Sequence, residues 1–300
     1  MDSVQVYLNQ LISKIAEGNF LALARALTLV ENDIAPASDL LKSLSINRAV
    51  PVVGITGPPG AGKSTLVNAI TDELCGLNKR IAILAVDPSS PFNYGSLLGD
   101  RIRMAKHFNH PNVYIRSVAT RGSLGGVSAK TIEMVDVLRS SNFDLIIIET
   151  VGVGQSEIEI AGLADKTILV LVPEAGDEIQ HIKSGLMEVA QAFVVNKADR
   201  EGADGFANNL QKMVREQQQQ IPVFKTVADK NVGISSLCDW ILNEGPSDRT
   251  KIEYFLAEQA FRLIQNKRMK DIDKNKILTL IKEELASKHF NMYQFVERML

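Results

Sequence analysis

Apolar residues recur at helical spacing at both ends of the chain. In the first 45 residues they lie three or four positions apart in two runs, which are separated at Gly18 and Asn19. The same spacing returns after Pro246, in the runs IEYFLAEQAFRLIQ and KILTLIKEELA. We therefore predict a helical extension over residues 1–45 and a second one over residues 246–300.

Residues 46–245 follow a different pattern, in which short β-branched runs alternate with helical stretches. Seven such runs read VPVVGIT, RIAILAVD, VYIRSV, DLIIIET, TILVLVP, AFVVNK and IPVFKTV. They are apolar at nearly every position, as expected of parallel strands that are covered on both faces by helices. The predicted fold class is α/β, with a doubly wound, mostly parallel sheet between the two helical extensions.

Composition narrows the classes of partner. The 33 Lys and Arg residues nearly balance the 35 Asp and Glu residues, so no basic field indicates nucleic acid or anionic lipid. The apolar runs are far shorter than the roughly 20 residues that span a bilayer. The first 20 residues carry acidic residues and polar breaks where a signal peptide would have a basic start and an apolar block. We expect a cytoplasmic protein with neither nucleic acid nor a membrane as partner, and the two Cys and four His do not cluster as a structural metal site.

A phosphate-binding loop follows the first predicted strand. Residues 57–64 read GPPGAGKS and lead into the helical stretch TLVNAITDEL. Glycines allow successive N–H groups to point at one anion, Lys63 can reach the β- and γ-phosphates, and the Ser64 hydroxyl can bind Mg²⁺. An ordinary Gly-rich turn is the minor alternative. The predicted nucleotide-binding residues of this loop are Gly57, Pro58, Pro59, Gly60, Ala61, Gly62, Lys63, Ser64 and Thr65.

Guanine is the predicted base. Asn196, Lys197 and Asp199 form an NKxD sequence after the strand AFVV. A carboxylate at Asp199 can accept from both N1–H and N2–H₂ of guanine, and adenine lacks this donor pair, so such a site can discriminate by a factor on the order of 10⁴. The segment Thr226, Val227 and Ala228 is placed to contact the guanine O6 through a backbone N–H. The middle of the chain is therefore predicted to be a P-loop GTPase domain over residues 46–245.

Three acidic residues are candidates for the metal shell. Glu149 ends the strand DLIIIE, and Gly152 behind it allows a backbone N–H close to the γ-phosphate. Asp87 also ends a strand, and its spacing fits a ligand and a turn cap equally well. For Asp100 the spacing alone favours a solvated surface residue.

Six motifs together resemble one family. In chain order they are AVDPSS, GSLLGDRIRM, RGSLGGVSAKT, ETVGVGQSE, PEAGDEIQHIKSG and NKAD. This series is similar to that of the MeaB/ArgK family of G-protein chaperones for adenosylcobalamin-dependent acyl-CoA mutases. The resemblance implies that Ser64, Asp87, Asp100 and Glu149 organise the Mg²⁺ ion.

The resemblance also implies a third switch segment over residues 173–185. In that segment Asp177 and Lys183 respond to the nucleotide and the partner, and Lys183 becomes a candidate for stabilising transition-state charge when the mutase is bound. The predicted catalytic residues are therefore Lys63, Asp177 and Lys183. Without the resemblance, Lys183 would be interpreted as a solvated helix charge. The implied function is GTP hydrolysis that gates adenosylcobalamin loading and protects a mutase such as methylmalonyl-CoA mutase.

Other interpretations remain open at this point. The C-terminal helices form a homodimer if they follow the family, or else pack against the GTPase domain. An ATP-dependent kinase acting on lysine/arginine/ornithine transport binding proteins is an alternative, although NKAD disfavours it. A nickel metallochaperone would be expected to carry a His/Cys cluster, and a nucleotide-gated scaffold without a mutase is a third possibility.

Overall fold

The computed structural model describes residues 3–87, 104–119, 129–150, 160, 162–174, 190–216, 220–243, 249–269, 271–286 and 290–299. For Asp87, Ala119, Ala129 and several residues of the last helices, only the backbone is described. The chain divides into two compact units, residues 1–256 and 257–300.

Three helices open the first unit. They are α1 (Ser3–Ala16), α2 (Phe20–Glu31) and α3 (Ala37–Ser43). The predicted break lies between the first two helices, where Gly18 has a φ of +77° and the Asn19 side chain accepts a 3.0 Å hydrogen bond from the amide of Ala22. The sequence pattern missed α3, because its seven residues present only one apolar turn.

A parallel sheet forms the centre of the first unit. Its strands are β1 (Val52–Thr56), β2 (Ile81–Asp87), β3 (Val113–Ala119), β4 (Leu145–Thr150), β5 (Lys166–Leu171), β6 (Ala192–Val195) and β7 (Val223–Lys225). The order across the sheet is β3-β2-β4-β1-β5-β6-β7, and every neighbouring pair is parallel. This confirms the predicted fold class and all seven predicted strands. Because the strands are parallel, their carboxyl ends meet at one edge, where ligands bind in open α/β sheets.

Helices cover both faces of this sheet. They are α4 (Lys63–Gly76), α5 (Ala129–Arg139), α6 (Ala203–Glu216) and α7 (Ile234–Asn243). On one face, Leu66 of α4 and Leu237 of α7 share a buried cluster with Ile55 of β1. On the other face, Leu210 of α6 packs in a cluster with Phe193 of β6. The strands are apolar at nearly every position because both faces are buried.

Helical structure returns near the C-terminus, as predicted. The helices are α8 (Arg249–Arg268), α9 (Lys274–Ala286) and α10 (Met292–Met299). The second unit contains the end of α8 together with α9 and α10, and exposes Phe261, Leu278 and Tyr293. Among the described residues, no helix is long and apolar enough to cross a membrane.

Candidate functional site

The phosphate-binding loop is shaped by glycines in conformations that other residues rarely adopt. Gly57, Gly60 and Gly62 have φ values of +142°, +78° and +86°. A Cβ on Gly57 would lie 2.1 Å from the carbonyl oxygen of Val170, and a Cβ on Gly62 would lie 2.4 Å from Asn196 Nδ2. Two of these glycines are therefore required by close approach as well as by conformation.

Lys63 is the first residue of α4, and its ammonium group lies inside the loop. Its Nζ donates to the carbonyl oxygens of Gly57 at 2.7 Å and Pro58 at 2.9 Å, and the residue is only 6% exposed. The N-terminus of α4 points into the same loop, with Gly62 as its N-cap. A positive charge and a helix N-terminus are thus brought together where an anion can bind.

Ser64 and Glu149 meet beside the loop. The Ser64 hydroxyl donates to Glu149 Oε1 at 2.6 Å, and each residue is 6% exposed. They meet because β1, which leads into the loop, lies beside β4, with Ile55 opposite Glu149 in register. A hydroxyl and a carboxylate oxygen are the hard donors that Mg²⁺ prefers.

Several predicted residues fall outside this description. Asp100, Gly152, Asp177 and Lys183 lie outside the described residues, and Asp87 is described only as the last backbone position of β2. Within the described ranges, no three His, Cys, Asp or Glu side chains come together as a metal site.

The Asn196 side chain connects three segments of the site. Its Nδ2 donates to the carbonyl oxygen of Ala61 at 2.9 Å, while its Oδ1 accepts from the Thr226 hydroxyl at 3.1 Å and the Ala228 amide at 3.2 Å. Asn196 is 2% exposed, so these contacts are shielded from water. Lys197 adds a second link, because its Nζ donates to the carbonyl oxygen of Gly60 at 2.7 Å. The two predicted motifs form one hydrogen-bonded unit, although Asn196 and Ala61 are 135 positions apart in the chain.

A cavity of about 270 Å³ opens between these segments. Its walls include Gly62, Thr65, Lys197, Asp199 and Ala228. A hydrogen bond from Lys230 Nζ to Asp199 Oδ2, 2.7 Å long, holds the pKa of Asp199 below its usual value. The side chain predicted to read the base is therefore an ionised acceptor at the cavity wall at neutral pH.

The segment predicted to contact the guanine O6 lies beside this cavity, but its amides already have acceptors. The amide of Thr226 donates to the carbonyl oxygen of Val195 at 2.9 Å, that of Val227 to Val232 at 3.0 Å, and that of Ala228 to Asn196 Oδ1. The next residue, Asp229, lines the same cavity.

Two contacts near the site could not be predicted from any sequence motif. The Thr150 hydroxyl donates to that of Thr56 at 3.0 Å, which joins the buried ends of β4 and β1. Lys230 pairs with Asp199. In both cases the partners are far apart in the chain, so only the fold brings them together.

Comparison with known proteins adds a family to this geometry. Residues 23–292 match the family described as methylmalonyl-CoA mutase-associated GTPase MeaB. A Pyrococcus abyssi protein that is provisionally named a GTPase is 43% identical over 289 residues, covering 94% of this chain and 86% of that protein. The mouse mitochondrial methylmalonic aciduria type A homolog is 39% identical over 213 residues, covering 66% of this chain and 51% of its own length.

A solved structure supports the fold independently. The crystal structure of an LAO/AO transport system kinase has a TM-score of 0.67 and covers 99% of this chain and 97% of its own. Its sequence identity of 23% limits the comparison to the fold. Together with the assembled phosphate-binding loop and NKxD segment, these matches show that the chain belongs to the MeaB family of methylmalonyl-CoA mutase-associated GTPases.

Proposed function

We propose that this GTPase is a nucleotide-gated chaperone that loads adenosylcobalamin into an acyl-CoA mutase, such as methylmalonyl-CoA mutase, and protects the loaded enzyme. The observation that carries the proposal is the set of hydrogen bonds made by the Asn196 side chain in a chain of the MeaB family. These bonds link Ala61 of the phosphate-binding loop to Ala228, beside the predicted base site. A change in the bound nucleotide can therefore shift the phosphate-binding loop and the loop after β7 together.

The phosphates would bind in the loop that now surrounds Lys63. The ammonium group of Lys63 now donates to the carbonyl oxygens of Gly57 and Pro58, which belong to the loop itself. When a nucleotide binds, the ammonium can exchange these two acceptors for β- and γ-phosphate oxygens. Backbone N–H groups of residues 60–65 and the N-terminus of α4 would supply the remaining donors.

The guanine would bind in the 270 Å³ cavity. Asp199 would accept from N1–H and N2–H₂, and Lys197 would lie along the base. Because the amides of Thr226, Val227 and Ala228 have acceptors, we assign the O6 contact to the amide of Asp229, the next residue along the cavity wall.

Ser64 and Glu149 provide a fitting site for Mg²⁺, since their oxygens already lie 2.6 Å apart in a buried setting. When bound, the ion would neutralise the charge of the β- and γ-phosphates. Asp87 and Asp100 complete the proposed set, and Gly152 supplies a proposed γ-phosphate contact.

The mutase connection is supported by two comparisons. The family description names methylmalonyl-CoA mutase, and the mouse relative is named for methylmalonic aciduria. Asp177 and Lys183 are the proposed residues that respond when the mutase binds.

A homodimer through the C-terminal helices is also proposed, and the exposed apolar side chains Phe261, Ile264 and Leu285 support it.

The direct test is cobalamin loading. Apo-mutase from the same organism is mixed with adenosylcobalamin and this protein, in the presence of GTP, GDP or a non-hydrolysable GTP analogue, and formation of active mutase is followed. We expect the rate and final yield of active mutase to depend on which guanine nucleotide is present. Identical loading with every nucleotide, and without the protein, would exclude the chaperone role.

A nucleotide switch provides the matched control. The variant Asp199→Asn should lose its response to GTP and gain one to XTP, whose C2 oxygen can accept from the amide. A response that moves with the base demonstrates that the bound nucleotide, rather than a contaminating activity, controls loading.

A further inference from the structure

Lys230 contacts the residue that reads the base. Its Nζ lies 2.7 Å from Asp199 Oδ2, although the two residues belong to loops that follow different strands, β6 and β7. The side chains are 61% and 42% exposed, so the pair lies at the rim of the nucleotide cavity.

The backbone holds Lys230 in this place. Residues Ala228–Lys230 form a single 3-10 turn, closed by a 3.0 Å hydrogen bond from the Lys230 amide to the carbonyl oxygen of Val227. Asn231 follows with a φ of +55°, and a two-way backbone bridge between Val227 and Val232 closes the base of the turn at 3.0 and 3.2 Å. The turn is thus a short, hydrogen-bonded unit.

The same turn contributes to the cavity wall. Ala228 and Asp229 line the cavity, and the Ala228 amide is fixed to Asn196. The buried hydrogen bond between Ala228 and Asn196 therefore fixes the turn that places Lys230 next to Asp199.

A carboxylate that reads guanine must present its two oxygens in the plane of the base. In an exposed Asp side chain the carboxylate rotates, because its terminal torsion is broad. An ammonium group on one oxygen restricts this rotation and leaves the other lone pairs for N1–H and N2–H₂ of the base. A bound base would also shield the pair from water, which strengthens it relative to the open site.

We propose that Lys230 is a positioning residue for guanine selectivity, which acts by fixing the orientation of the Asp199 carboxylate. The inference rests on the guanine site of the proposed function. It adds a selectivity residue that lies outside the NKxD sequence and belongs to the opposite loop.

The chain contains a matched control pair close by. Lys225, at the end of β7, pairs with Asp204 at 2.8 Å, and their side chains are 53% and 81% exposed. This pair has the same chemistry and a similar length, but neither residue lines the cavity that contains Asp199.

The test compares GDP with IDP, which lacks the N2 amino group. Affinities are measured by calorimetry for the wild type, Lys230→Ala, Lys230→Arg and Lys225→Ala, so hydrolysis does not interfere. We expect Lys230→Ala to reduce the preference for GDP over IDP by roughly threefold to tenfold. Lys230→Arg should retain most of the preference, and Lys225→Ala should retain all of it.

Two results would overturn the inference. An equal loss of GDP and IDP affinity in Lys230→Ala would indicate general damage to the loop. Tighter GDP binding in that variant would show that Lys230 competes with the base for Asp199.

Failure of the inference can be told apart from failure of the proposed function. If the wild type does not prefer GDP to ADP, the guanine site itself is wrong. If it does, and Lys230→Ala keeps the wild-type ratio of GDP to IDP, only the role of Lys230 is lost. Neither measurement requires the mutase.

Discussion

Asn196 and Asp199 divide the work of the NKxD sequence between structure and recognition. Asn196 is buried and holds the phosphate-binding loop to the loop after β7. Asp199 is partly exposed and faces the cavity, so it is available to a ligand. Substitution of the two residues should consequently have different effects, on the fold in the first case and on base selection in the second.

The variant Asp199→Asn should change which base is bound while the protein stays folded. An amide at this position offers a donor where guanine also presents donors, so GTP affinity should fall by about 100-fold or more, while XTP affinity should rise. Competition binding with GTP, XTP and ATP measures the change. The matched control is Asp204→Asn, which breaks the exposed pair with Lys225 and should leave the preference for GTP intact. Unchanged GTP preference in Asp199→Asn would remove this residue from the base site.

For single residues, sequence reasoning used strand ends and fixed spacings, and the roles assigned in this way stay predictions. Lys63 and Ser64 were predicted from the loop spacing, and Glu149 from its place at the end of an apolar strand; the last two lie in hydrogen-bond contact. Lys230 could not be predicted, because its contact with Asp199 depends on how one turn is oriented after β7. The amides of Thr226, Val227 and Ala228 show the same limit, since their acceptors follow from loop geometry.

At the level of elements, the phosphate-binding loop and α4 depend on glycines of two kinds. Gly62 has a positive φ and no room for a Cβ next to Asn196. Gly60 also has a positive φ, but a Cβ there would meet nothing within 4 Å. A side chain at Gly60 would therefore cause backbone strain alone, whereas one at Gly62 would cause backbone strain and a steric clash.

We expect Gly62→Ala to be much more damaging than Gly60→Ala. The second variant bears only the strain of a left-handed residue, about 1–2 kcal/mol. The first bears a similar strain and also displaces Asn196, which loosens the loop from β6. Thermal unfolding and GDP calorimetry should show a larger drop in Tm and at least tenfold weaker binding for Gly62→Ala than for Gly60→Ala. Similar losses in the two variants would mean that the Asn196 contact does not organise the loop.

The sequence predicted long elements better than short ones. The strands were recognisable because helices cover both faces of the sheet, which leaves an apolar run without alternation. By contrast, α3 and α10 have only seven and eight residues, too few for a helical period to be recognised. The division of the chain into residues 1–45, 46–245 and 246–300 remains a prediction, and the two compact units of the structure are residues 1–256 and 257–300.

The stability of the first unit depends on a core that excludes water, and the pKa of Cys238, a residue of α7 in that core, indicates how well water is excluded. This thiol is 1% exposed, and burial, with smaller effects from Glu73 and Asp239, raises its pKa from 9.0 to about 12. Above pH 9 the thiol ionises in the unfolded chain while it stays protonated in the folded one. The unfolded state is then favoured as the pH rises from 9 towards 12.

Unfolding by urea at several pH values tests this linkage. Between pH 7 and pH 10, the free energy of unfolding of the wild type should fall relative to that of Cys238→Ala, with the difference appearing only above pH 9. Its slope should approach, at most, about 1.4 kcal/mol per pH unit. Other groups titrate in both proteins and cancel in the difference. Parallel profiles for the two proteins would show that the thiol is accessible in the folded state.

The central claim, that GTP hydrolysis is coupled to a mutase, is tested most directly by the hydrolysis rate. Purified protein is assayed with GTP, with and without an adenosylcobalamin-dependent acyl-CoA mutase from the same organism, and ATP is the control nucleotide. We predict hydrolysis that is specific for GTP and strongly stimulated by the mutase, because a partner can complete the positioning and charge stabilisation that phosphoryl transfer needs. GTP-specific hydrolysis at the same rate with and without the mutase would contradict the coupling, while the GTPase activity itself would stand.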